Sequence, residues 1–533
     1  MGADRIVIVG SGFAGSILAR LLVSAGKTVT LVERGAHPRF AIGESSTPLA
    51  AICLERLAAD YGLGDLAALA AYGRWARQLP DLRHGLKRGF TFYGHRRGEP
   101  YSNDETNSNR LLVAASPSEE VADSHWMRSD VDAYLVQRAA EEGVEVIDRC
   151  ELDRCDPRPG GWRLEGTQGG TSIALDASFV VDATGAGGFL PSRLELEPAA
   201  PQVGAPCTGV VFSHFEGVAS FVEVARQGGA SFPDAPYPEE RAAIHHLLEE
   251  GWMYVLPFDE GLVSAGIVLD RKVPGVRRLL AGPPTAAWST ILSRYPTLAA
   301  QFADSQAVRS PRTIAHLQRR QSRAAGPGWA LLPHTFCFVS PMFSTGIAWS
   351  LIAVERLAAA FVEPGGTENT SWGLRAYRLL CATEADSLCE LIGPAYRLRH
   401  RFDTFSAWTQ LYFAAASYAE VWQRIGPRPP RGWSGIGFLG AGDPQMRAAM
   451  SAARADLRGA TANRHSVEAV DDAIVAAHIA GRNIAGLADA GRHRSYPVDL
   501  DALVDRASLL DRTRAEMIAA LPRLRGPSVS RER

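Results

Sequence analysis

The sequence predicts an α/β fold that combines a parallel sheet, a second sheet of mixed β structure and a helical C-terminal region. A β-branched apolar run at the N-terminus leads directly into a glycine-rich turn and an apolar helix, which is typical of a parallel α/β sheet. Alternating segments within residues 205–270 indicate the second sheet. From about residue 366 the pattern is helical to the end, apart from one Gly/Pro-rich loop, GPRPPRGWSGIGFLGAGD.

Length and composition limit the class of protein. A chain of 533 residues is too long for one ordinary core, so we expect two or three structural units. With 46% apolar and 21% charged residues, the composition is that of a soluble globular protein. A formal net charge of −2 without a basic run gives no support to nucleic-acid binding. No apolar run is long enough for a membrane span, so no membrane association is expected.

The seven cysteines are scattered and form no C-x-x-C pair, which indicates neither a zinc site nor a redox dithiol. No metal is therefore expected. A dispersed, odd number of cysteines fits a reducing compartment, and the chain starts at a predicted strand rather than at a signal peptide. We expect a cytoplasmic protein. The tail from Arg525 is expected to be disordered.

The N-terminal motif predicts a dinucleotide site. Ile6 to Val9 reads as a buried strand, the following turn has the pattern G-x-G-x-x-G, and Phe13 to Ala25 reads as a helix. The turn lets the backbone approach a pyrophosphate, and the N–H groups that open the helix favour its negative charge. Glu33, at the tip of a second strand (Thr28 to Val32), suits ribose hydroxyls. The residues expected to hold the dinucleotide here are Gly10, Gly12, Phe13, Ala14, Gly15 and Glu33.

The remaining elements follow from periodicity and turn signals. Helices are predicted for Leu49 to Tyr72 and for His125 to Ala140, the latter with Ser129 or Asp130 as N-cap. Strands are predicted for Lys87 to Tyr93, Val144 to Ile147 and Ser178 to Thr184, and a hairpin for Trp162 to Leu175. Residues 94–124 are expected to be mostly loop.

These elements divide the chain into interleaved parts. The nucleotide-binding domain is expected in three pieces, residues 1–85, 125–204 and 311–362. A strand with loops on the substrate side (86–124) and a mixed β substrate domain (205–310) are expected between them. The helical region (366–524) and the tail (525–533) complete the chain.

Four further segments carry a family resemblance. RFAIGESSTP (Arg39 to Pro48) directly follows the dinucleotide motif, MRSDVDAYL contains Arg128, VVDATGAGG spans Val180 to Gly188, and PMFSTG spans Pro341 to Gly346. Together with Lys87 in LKRGFTFY they resemble the flavin-dependent halogenases, closer to the branch that acts on phenols and pyrroles. The resemblance implies a flavin monooxygenase-like FAD-binding domain, with FAD, O2 and chloride or bromide taking part in the reaction.

The resemblance also implies roles for individual residues. Lys87 would present electrophilic halogen, either by hydrogen-bonding hypohalous acid or as a chloramine, and Glu44 would link the flavin and substrate sites. The backbone at Ser344, Thr345 and Gly346 would bind halide, since successive N–H groups that open a helix attract an anion. The remaining flavin contacts implied are Ser45, Arg128, Gly185, His334 and Pro341. Isolated from their context, these residues also fit an exposed lysine, an exposed arginine and an ordinary helix start.

The chain departs from the family pattern at three places. Pro333 and His334 stand where relatives have Gly-Asp, whose Asp usually bonds the flavin ribityl chain. The W-x-W-x-I-P motif is relaxed to GWMYVLPF, which keeps Trp252 and replaces the second Trp by Tyr254. Phe343 stands where tryptophan halogenases typically have Glu, which shifts the expected substrate away from free tryptophan.

The predicted function is that of an FADH2-dependent halogenase. It would act through flavin hydroperoxide and hypohalous acid on an electron-rich aromatic, phenolic or pyrrolic, free or tethered to a carrier protein, in secondary metabolism. No second dinucleotide motif is found, so a separate flavin reductase would supply FADH2. A homodimer is one candidate assembly. Two alternatives stay open: a monooxygenase or oxidoreductase on the same fold, and a non-catalytic flavoprotein that binds a carrier domain or another partner.

Overall fold

The computed structural model describes residues 5–362, 366–426, 435–462 and 472–524. The predicted tail at 525–533 and residues 427–434 of the predicted Gly/Pro-rich loop lie outside these ranges. The described strands, in chain order, are β1 (Arg5–Val9), β2 (Thr28–Val32), β3 (His84–Lys87), β4 (Gly89–Gly94), β5 (Arg110–Ala114), β6 (Asp123–Trp126), β7 (Glu145–Ile147), β8 (Cys150–Arg158), β9 (Gly161–Gln168), β10 (Thr171–Ala177), β11 (Phe179–Asp182), β12 (Thr208–Glu216), β13 (Ala243–Leu248), β14 (Gly251–Pro257), β15 (Val263–Asp270), β16 (Gln306–Ala307), β17 (Arg312–Ile314), β18 (Arg319–Arg320), β19 (Ala325–Gly326), β20 (Trp329–Leu331), β21 (Cys337–Phe338) and β22 (Ser495–Tyr496).

The described α-helices, in chain order, are α1 (Phe13–Ser24), α2 (Pro48–Tyr61), α3 (Gly64–Ala68), α4 (Tyr72–Gln78), α5 (Arg128–Glu141), α6 (Phe189–Arg193), α7 (Phe221–Gln227), α8 (Val276–Ala281), α9 (Pro284–Leu292), α10 (Pro296–Gln301), α11 (Pro333–Phe336), α12 (Thr345–Val362), α13 (Gly366–Leu398), α14 (Phe402–Ile425), α15 (Pro444–Ala462), α16 (Asp472–Ile479), α17 (Leu500–Asp505) and α18 (Arg514–Leu524).

The N-terminal motif forms the centre of a six-stranded sheet in the order β19-β20-β11-β1-β2-β7. All neighbours pair in parallel except β19 and β20, which are antiparallel. Because both faces of these strands are covered, β1 and β2 consist of β-branched and aliphatic residues that are almost all buried. The helix α12 packs against α1 and α2. This sheet and its helices confirm the predicted parallel α/β domain.

A second, nine-stranded sheet lies beside the first. Its strands follow the order β16-β12-β15-β14-β13-β4-β5-β22, and β17 also pairs with β12. Most neighbours are antiparallel, whereas β13 with β4 and β5 with β22 are parallel, so the predicted mixed sheet is confirmed. The predicted hairpin is also confirmed, since β9 and β10 pair antiparallel.

Three predicted elements differ from the structure. The helix predicted for Leu49 to Tyr72 is three helices, because Gly62 adopts a left-handed conformation (φ 72°) and ends α2. The strand predicted for Lys87 to Tyr93 changes partners at Arg88: β3 pairs with β6, whereas β4 pairs with β5 and β13. The expected loop at 94–124 contains β5 and the start of β6.

The helix that contains Arg128 was predicted to begin too early. Residues Asp123–Trp126 form β6, because they complete an antiparallel pair with β3. The helix α5 begins at Arg128, and its N-cap is Met127, which makes no side-chain cap bond. Ser129 and Asp130, the predicted caps, lie in the first turn instead.

Most of the C-terminal region is helical, as predicted, and it is fastened to the rest of the fold. Glu384 on α13 accepts hydrogen bonds from Arg356 on α12 through both oxygens (2.7 and 2.8 Å), from Trp349 Nε1 and from the backbone N–H of Phe438. Glu384 and Arg356 are both buried. One described helix, Thr345–Val362, has the length and hydropathy of a membrane span, but it lies mainly inside the protein core.

Glu384→Ala should lower the free energy of unfolding by about 3–5 kcal/mol, because it removes the carboxylate that neutralises a buried guanidinium. Chemical denaturation measures this change. The control is Glu141→Ala, which removes the exposed pair with Arg138 and should cost less than about 0.5 kcal/mol. Equal losses in the two variants would contradict the role assigned to Glu384.

Candidate functional site

The turn between β1 and α1 has the close backbone packing that a dinucleotide site needs. Gly10 has φ +103°, and a Cβ there would lie 2.7 Å from the backbone of Ala183 in the neighbouring strand exit. A Cβ at Gly15 would lie 2.1 Å from the carbonyl oxygen of Gly10. Gly12 caps α1, and Phe13 and Ala14 open it. The turn therefore holds the N-terminus of α1 open towards a phosphate group.

Glu33 lies at the end of β2, as predicted. Its carboxylate accepts hydrogen bonds from the N–H and Oγ of Ser11 (3.1 and 3.0 Å) and from the N–H of Gly35, and it pairs with Arg39. Burial alone would raise the pKa of Glu33, but Arg39 and the backbone donors lower it below its ordinary value. A fixed carboxylate at this edge suits the hydroxyls of an adenosine ribose.

Arg128 links three parts of the site. Its guanidinium forms a two-point ion pair with Asp132 (2.9 Å for both bonds) and donates to the carbonyls of Ile42 and Gly43. It also lies 4.7 Å from the ring centre of Phe13. Asp132 in turn accepts from the N–H of Phe13 (3.1 Å), so α5, the start of α1 and the segment after β2 are held together. Sequence reasoning named Arg128 and missed Asp132, although the R-x-x-x-D spacing places both on one face of α5.

The second glycine-rich turn is held by Asp182 at the end of β11. This buried carboxylate accepts from the N–H and Oγ1 of Thr184 and from the N–H of Leu190. Gly185 (φ +60°) donates to Thr335 Oγ1 on α11 (2.9 Å). The predicted flavin contacts Gly185 and His334 are thereby brought to one place.

The segment Pro341 to Gly346 forms a tight turn that opens α12. The N–H of Ser344 donates to the carbonyl of Pro341 (3.0 Å), and Ser344 has a left-handed φ of +53°. Thr345 is the first residue of α12, so the first N–H groups of an 18-residue helix have no partner within the helix. This is the geometry of an anion site, and the role of Ser344, Thr345 and Gly346 in binding halide stays a prediction.

His334 lies directly beside this helix start. A Cβ placed on Gly346 would lie only 2.6 Å from His334 Nε2, and the carbonyl of His334 accepts from Arg319 (2.7 Å). Burial, with Arg319 and Arg128 nearby, lowers the pKa of His334 to about 3. The imidazole is therefore neutral at physiological pH and can offer one N–H to a ligand at this point.

The segment Arg39–Pro48, called the strap below, contacts both sheets. Glu44 is buried, and its carboxylate accepts from Ser264 Oγ on β15 (2.6 Å) and lies 2.8 Å from His214 Nε2 on β12. Ser45 forms a β-bridge with His125. Ser46 exchanges hydrogen bonds with the backbone of Ser124, next to β6 and α5. Glu44 thus anchors the strap on the nine-stranded sheet.

Lys87, the last residue of β3, is fully buried. Its Nζ donates to the carbonyl of Ser46 in the strap (2.5 Å) and lies 4.0 Å from the ring centre of Phe90. Burial lowers the pKa of Lys87 to about 8, although the carboxylate of Asp123 acts in the opposite direction. The exposed-lysine interpretation is therefore wrong. The contact with Ser46 was missed because it uses a backbone carbonyl, which carries no side-chain signal.

A row of aromatic rings connects the start of α12 with Lys87. The ring of Phe343 stacks on Tyr412 at 4.3 Å, Tyr412 lies 6.4 Å from Phe90, and Phe90 contacts the ammonium of Lys87. Tyr412 also donates its O–H to the carbonyl of Phe343 (2.8 Å). The predicted halide site and the predicted catalytic lysine are therefore linked by one row of packed, buried aromatic side chains.

The two aromatic residues of GWMYVLPF lie on β14. Trp252 is buried and donates its Nε1–H to Tyr396 (2.8 Å), whose O–H group hydrogen-bonds Ser340, next to the turn that opens α12. The ring of Tyr254 lies 6.2 Å from that of Trp252, and burial together with Glu44 raises its pKa above the ordinary value. Trp252 therefore positions the turn through Tyr396.

A large apolar pocket opens on the other side of Phe90. It encloses about 1090 Å³, including its open mouth. Its walls come from the end of the strap, β4, β5, α14 and the C-terminal region near β22 and α17. Representative lining residues are Thr47, Phe90, Tyr412, Phe413, Ala416 and Glu420. Among the described residues, no cluster of His, Cys, Asp or Glu could hold a metal ion.

Comparison with known proteins shows what the chain is similar to. Residues 5–215 match the family described as "FAD dependent oxidoreductase". Over 92–93% of this chain, the fold matches that of solved structures of the halogenase PltM, with a TM-score of 0.80 and 20% identity for its complex with phloroglucinol and FAD, of which 99% is covered. The protein thus has the fold of an FAD-dependent oxidoreductase.

Sequence similarity is more specific. Tetracycline 7-halogenase of Kitasatospora aureofaciens is 29% identical over 367 residues, which span 66% of this chain and 64% of that protein. The halogenase PrnC of Pseudomonas fluorescens is 26% identical over 67% of this chain and 61% of its own length. The matched region covers less than two thirds of these two relatives. The chain is a homologue of the flavin-dependent halogenases.

Gly10→Ala should weaken FAD binding tenfold or more, because a methyl group 2.7 Å from Ala183 must displace the backbone that faces the dinucleotide, and about 1.4 kcal/mol suffices for that factor. Quenching of FAD fluorescence measures the affinity. Gly26→Ala is the control, since Gly26 also has positive φ (+78°) and nothing lies within 4 Å of its Cβ position. An unchanged affinity in a folded Gly10→Ala variant would contradict the assignment.

Proposed function

We propose that the protein is an FAD-dependent halogenase that installs chlorine or bromine on an electron-rich aromatic compound of secondary metabolism. The observation that carries the proposal is the position of Lys87, a buried ammonium at one end of a row of aromatic side chains whose other end is the N-terminus of α12. An ordinary lysine is solvated, and burying its charge is costly unless the charge is paired and hydrogen-bonded.

The described residues fit FAD. The β1–α1 turn and Glu33 would hold the adenosine diphosphate end, and Arg128, Gly185, His334 and the start of α12 would surround the flavin end. When bound in reduced form, FAD with O2 supplies the two-electron oxidation that converts halide into hypohalous acid. Because the chain has no second dinucleotide motif, a separate flavin reductase would deliver the reduced cofactor.

The protein's own groups then bind the halide and present the hypohalous acid to the substrate. The first N–H groups of α12 hold the halide, and the neutral imidazole of His334 beside them adds no negative charge that would repel it. The packed rings of Phe343, Tyr412 and Phe90 exclude water from the region between the helix start and Lys87. Lys87 is a strong, compact hydrogen-bond donor that can hold hypohalous acid at one place next to the substrate pocket.

The pocket favours a large aromatic substrate. Its walls are predominantly apolar. Phe343, which stacks on the lining residue Tyr412, stands at the position where tryptophan halogenases typically have a glutamate. The homologues include a tetracycline halogenase and a chlorinase of a carrier-bound pyrrole, and a structural neighbour binds phloroglucinol. We therefore favour a phenolic or pyrrolic substrate, free or carrier-bound, in a cytoplasmic enzyme. A homodimer stays a candidate assembly.

A monooxygenase on the same fold is the second candidate. Tyr254 stands in place of the second tryptophan of the family motif, and this departure favours hydroxylation of an aromatic intermediate as the alternative reaction. The mass of the product separates the candidates, since hydroxylation adds one oxygen and bromination gives a doublet of bromine isotopes.

Lys87→Met should reduce halogenation by on the order of 10²–10³-fold, because it removes one strong donor to the hypohalous acid and keeps the length of the side chain. The assay supplies reduced FAD, O2 and bromide with a panel of phenols and pyrroles, and mass spectrometry counts brominated product. FAD affinity should stay within about twofold, since Lys87 lies apart from the nucleotide turn. Lys272→Met, at an exposed lysine, is the control. Full activity in Lys87→Met would remove the lysine from the reaction.

Ala416→Trp should raise the KM for the aromatic substrate tenfold or more, because the indole fills the pocket next to Tyr412 and Phe413. Steady-state halogenation measures KM, and oxygen consumption by the reduced enzyme should continue, since the flavin end is untouched. Ala448→Trp, at an exposed position of α15, is the control. An unchanged KM would place the substrate elsewhere.

A further inference from the structure

Lys87 is held by the strap and by β6 together. Its Nζ donates to the carbonyl of Ser46, and Ser46 is fixed by hydrogen bonds to the backbone of Ser124 (2.9 and 3.1 Å). The ammonium is therefore aimed by a backbone carbonyl, which restrains its position and leaves two of its three N–H groups for other partners.

Asp123 is the direct cross-strand neighbour of Lys87. The two residues are paired in the antiparallel register of β3 and β6, so their side chains lie on the same face of this two-stranded sheet. Asp123 is 3% exposed and Lys87 is fully buried. No described protein atom is a hydrogen-bond partner of Asp123 Oδ2, although this atom is shielded from solvent. A buried carboxylate with a free oxygen thus lies on the same face of this two-stranded sheet as a buried ammonium.

Among the titratable groups around Lys87, Asp123 is the carboxylate that acts on the pKa of the lysine. His125 on β6 and His245 on β13 have pKa values lowered to about 3 by burial, with Lys87 contributing, so both rings are neutral. Glu420 on α14 is paired with Arg424 and acts on Asp123 rather than on Lys87. Burial raises the pKa of Asp123 to about 7, against the opposing effect of Lys87.

A purely structural ion pair explains this arrangement poorly. Taking both charges out of water costs more than their attraction returns unless the remaining hydrogen-bonding atoms are satisfied. Here one carboxylate oxygen lacks a protein partner and the lysine bonds a carbonyl, so the pair is not arranged for stability alone. Such arrangements concentrate at reactive sites.

We propose that Asp123 is the positioning residue that sets the protonation of Lys87 and takes up its proton when the lysine reacts with hypohalous acid. This inference rests on the proposed halogenase function. The ammonium transfers H⁺ to the carboxylate, the free amine attacks the halogen, the O–X bond breaks as the N–X bond forms, and water leaves. The aromatic carbon then takes X⁺ from nitrogen as the N–X bond breaks, and the proton that the ring releases restores the neutral amine. Asp123 returns the first proton and regenerates the ammonium.

The test exploits the composition of the chain, which has three lysines: Lys27, Lys87 and Lys272. Cyanate carbamylates neutral amines, so peptide mass spectrometry of the folded, FAD-bound protein at a series of pH values gives a titration midpoint for each lysine. Cyanic acid is as small as hypohalous acid and should reach Lys87. A native protein in which Lys87 is never labelled would overturn the proposal, because the oxidant could not reach it either.

In Asp123→Asn the midpoint of Lys87 should move about 1–3 pH units lower, because the negative charge that favours the ammonium is gone. The midpoints of Lys27 and Lys272 should not move. Asp123→Glu keeps the negative charge, so the midpoint of Lys87 should stay close to its native value in this variant. Asp123→Glu also serves as the second variant where the asparagine variant is unstable. Asp130→Asn is the matched control, since Asp130 pairs with the exposed Arg83 instead.

Activity is measured on the same samples. The limb of the pH profile of kcat that reports Lys87 should move with the labelling midpoint in Asp123→Asn, while the KM for the aromatic substrate stays constant. A shifted midpoint in a protein whose native form makes no halogenated product would refute the halogenase function and keep the coupling of the two side chains. Active native enzyme with an unshifted midpoint and profile in Asp123→Asn would refute the role of Asp123 alone.

Discussion

The buried carboxylate of Glu44 is the constraint on which the site depends. A charge at 3% exposure must be matched by donors, and the two that match it, His214 and Ser264, belong to two adjacent strands of the nine-stranded sheet. The strap is therefore held in one position against the nine-stranded sheet. In that position the carbonyl of Ser46 accepts a hydrogen bond from Lys87, and the carbonyls of Ile42 and Gly43 accept hydrogen bonds from Arg128. Loss of the Glu44 contacts would loosen both ends of the site together.

The parallel sheet and the dinucleotide turn could be predicted because their signals are local. Gly10 and Gly15 are required by contacts within one βαβ unit, and the strand, turn, helix and acidic tip follow each other within 33 residues of sequence. The resemblance then supplied Lys87 and Gly346, which no local pattern distinguishes from an exposed lysine or an ordinary helix start.

The parts that could not be predicted depend on distant contacts. The strand Asp123–Trp126 was taken for loop and helix because its β structure comes from pairing with β3, more than 30 residues earlier in the chain. Asp123 itself is one aspartate among many until that pairing sets it opposite Lys87. Ser46 acts through its carbonyl, and Asp132 completes the contacts of Arg128. Asp123 and Ser46 need the tertiary structure to be recognised, whereas Asp132 has a local signal in its spacing of four residues from Arg128.

The departures from the family pattern also gain a physical meaning. His334 lies so close to Gly346 that a side chain at that glycine would collide with the ring. Unlike the aspartate that the family pattern has at this position, the neutral ring brings no negative charge to the helix start. Diffraction from crystals of the FAD complex soaked in bromide tests this arrangement most directly. The account predicts an anomalous peak at the N–H groups of Thr345 and Gly346, at the end of the aromatic row opposite Lys87. Bromide bound only at other places, under conditions in which the enzyme brominates its substrate, would contradict it.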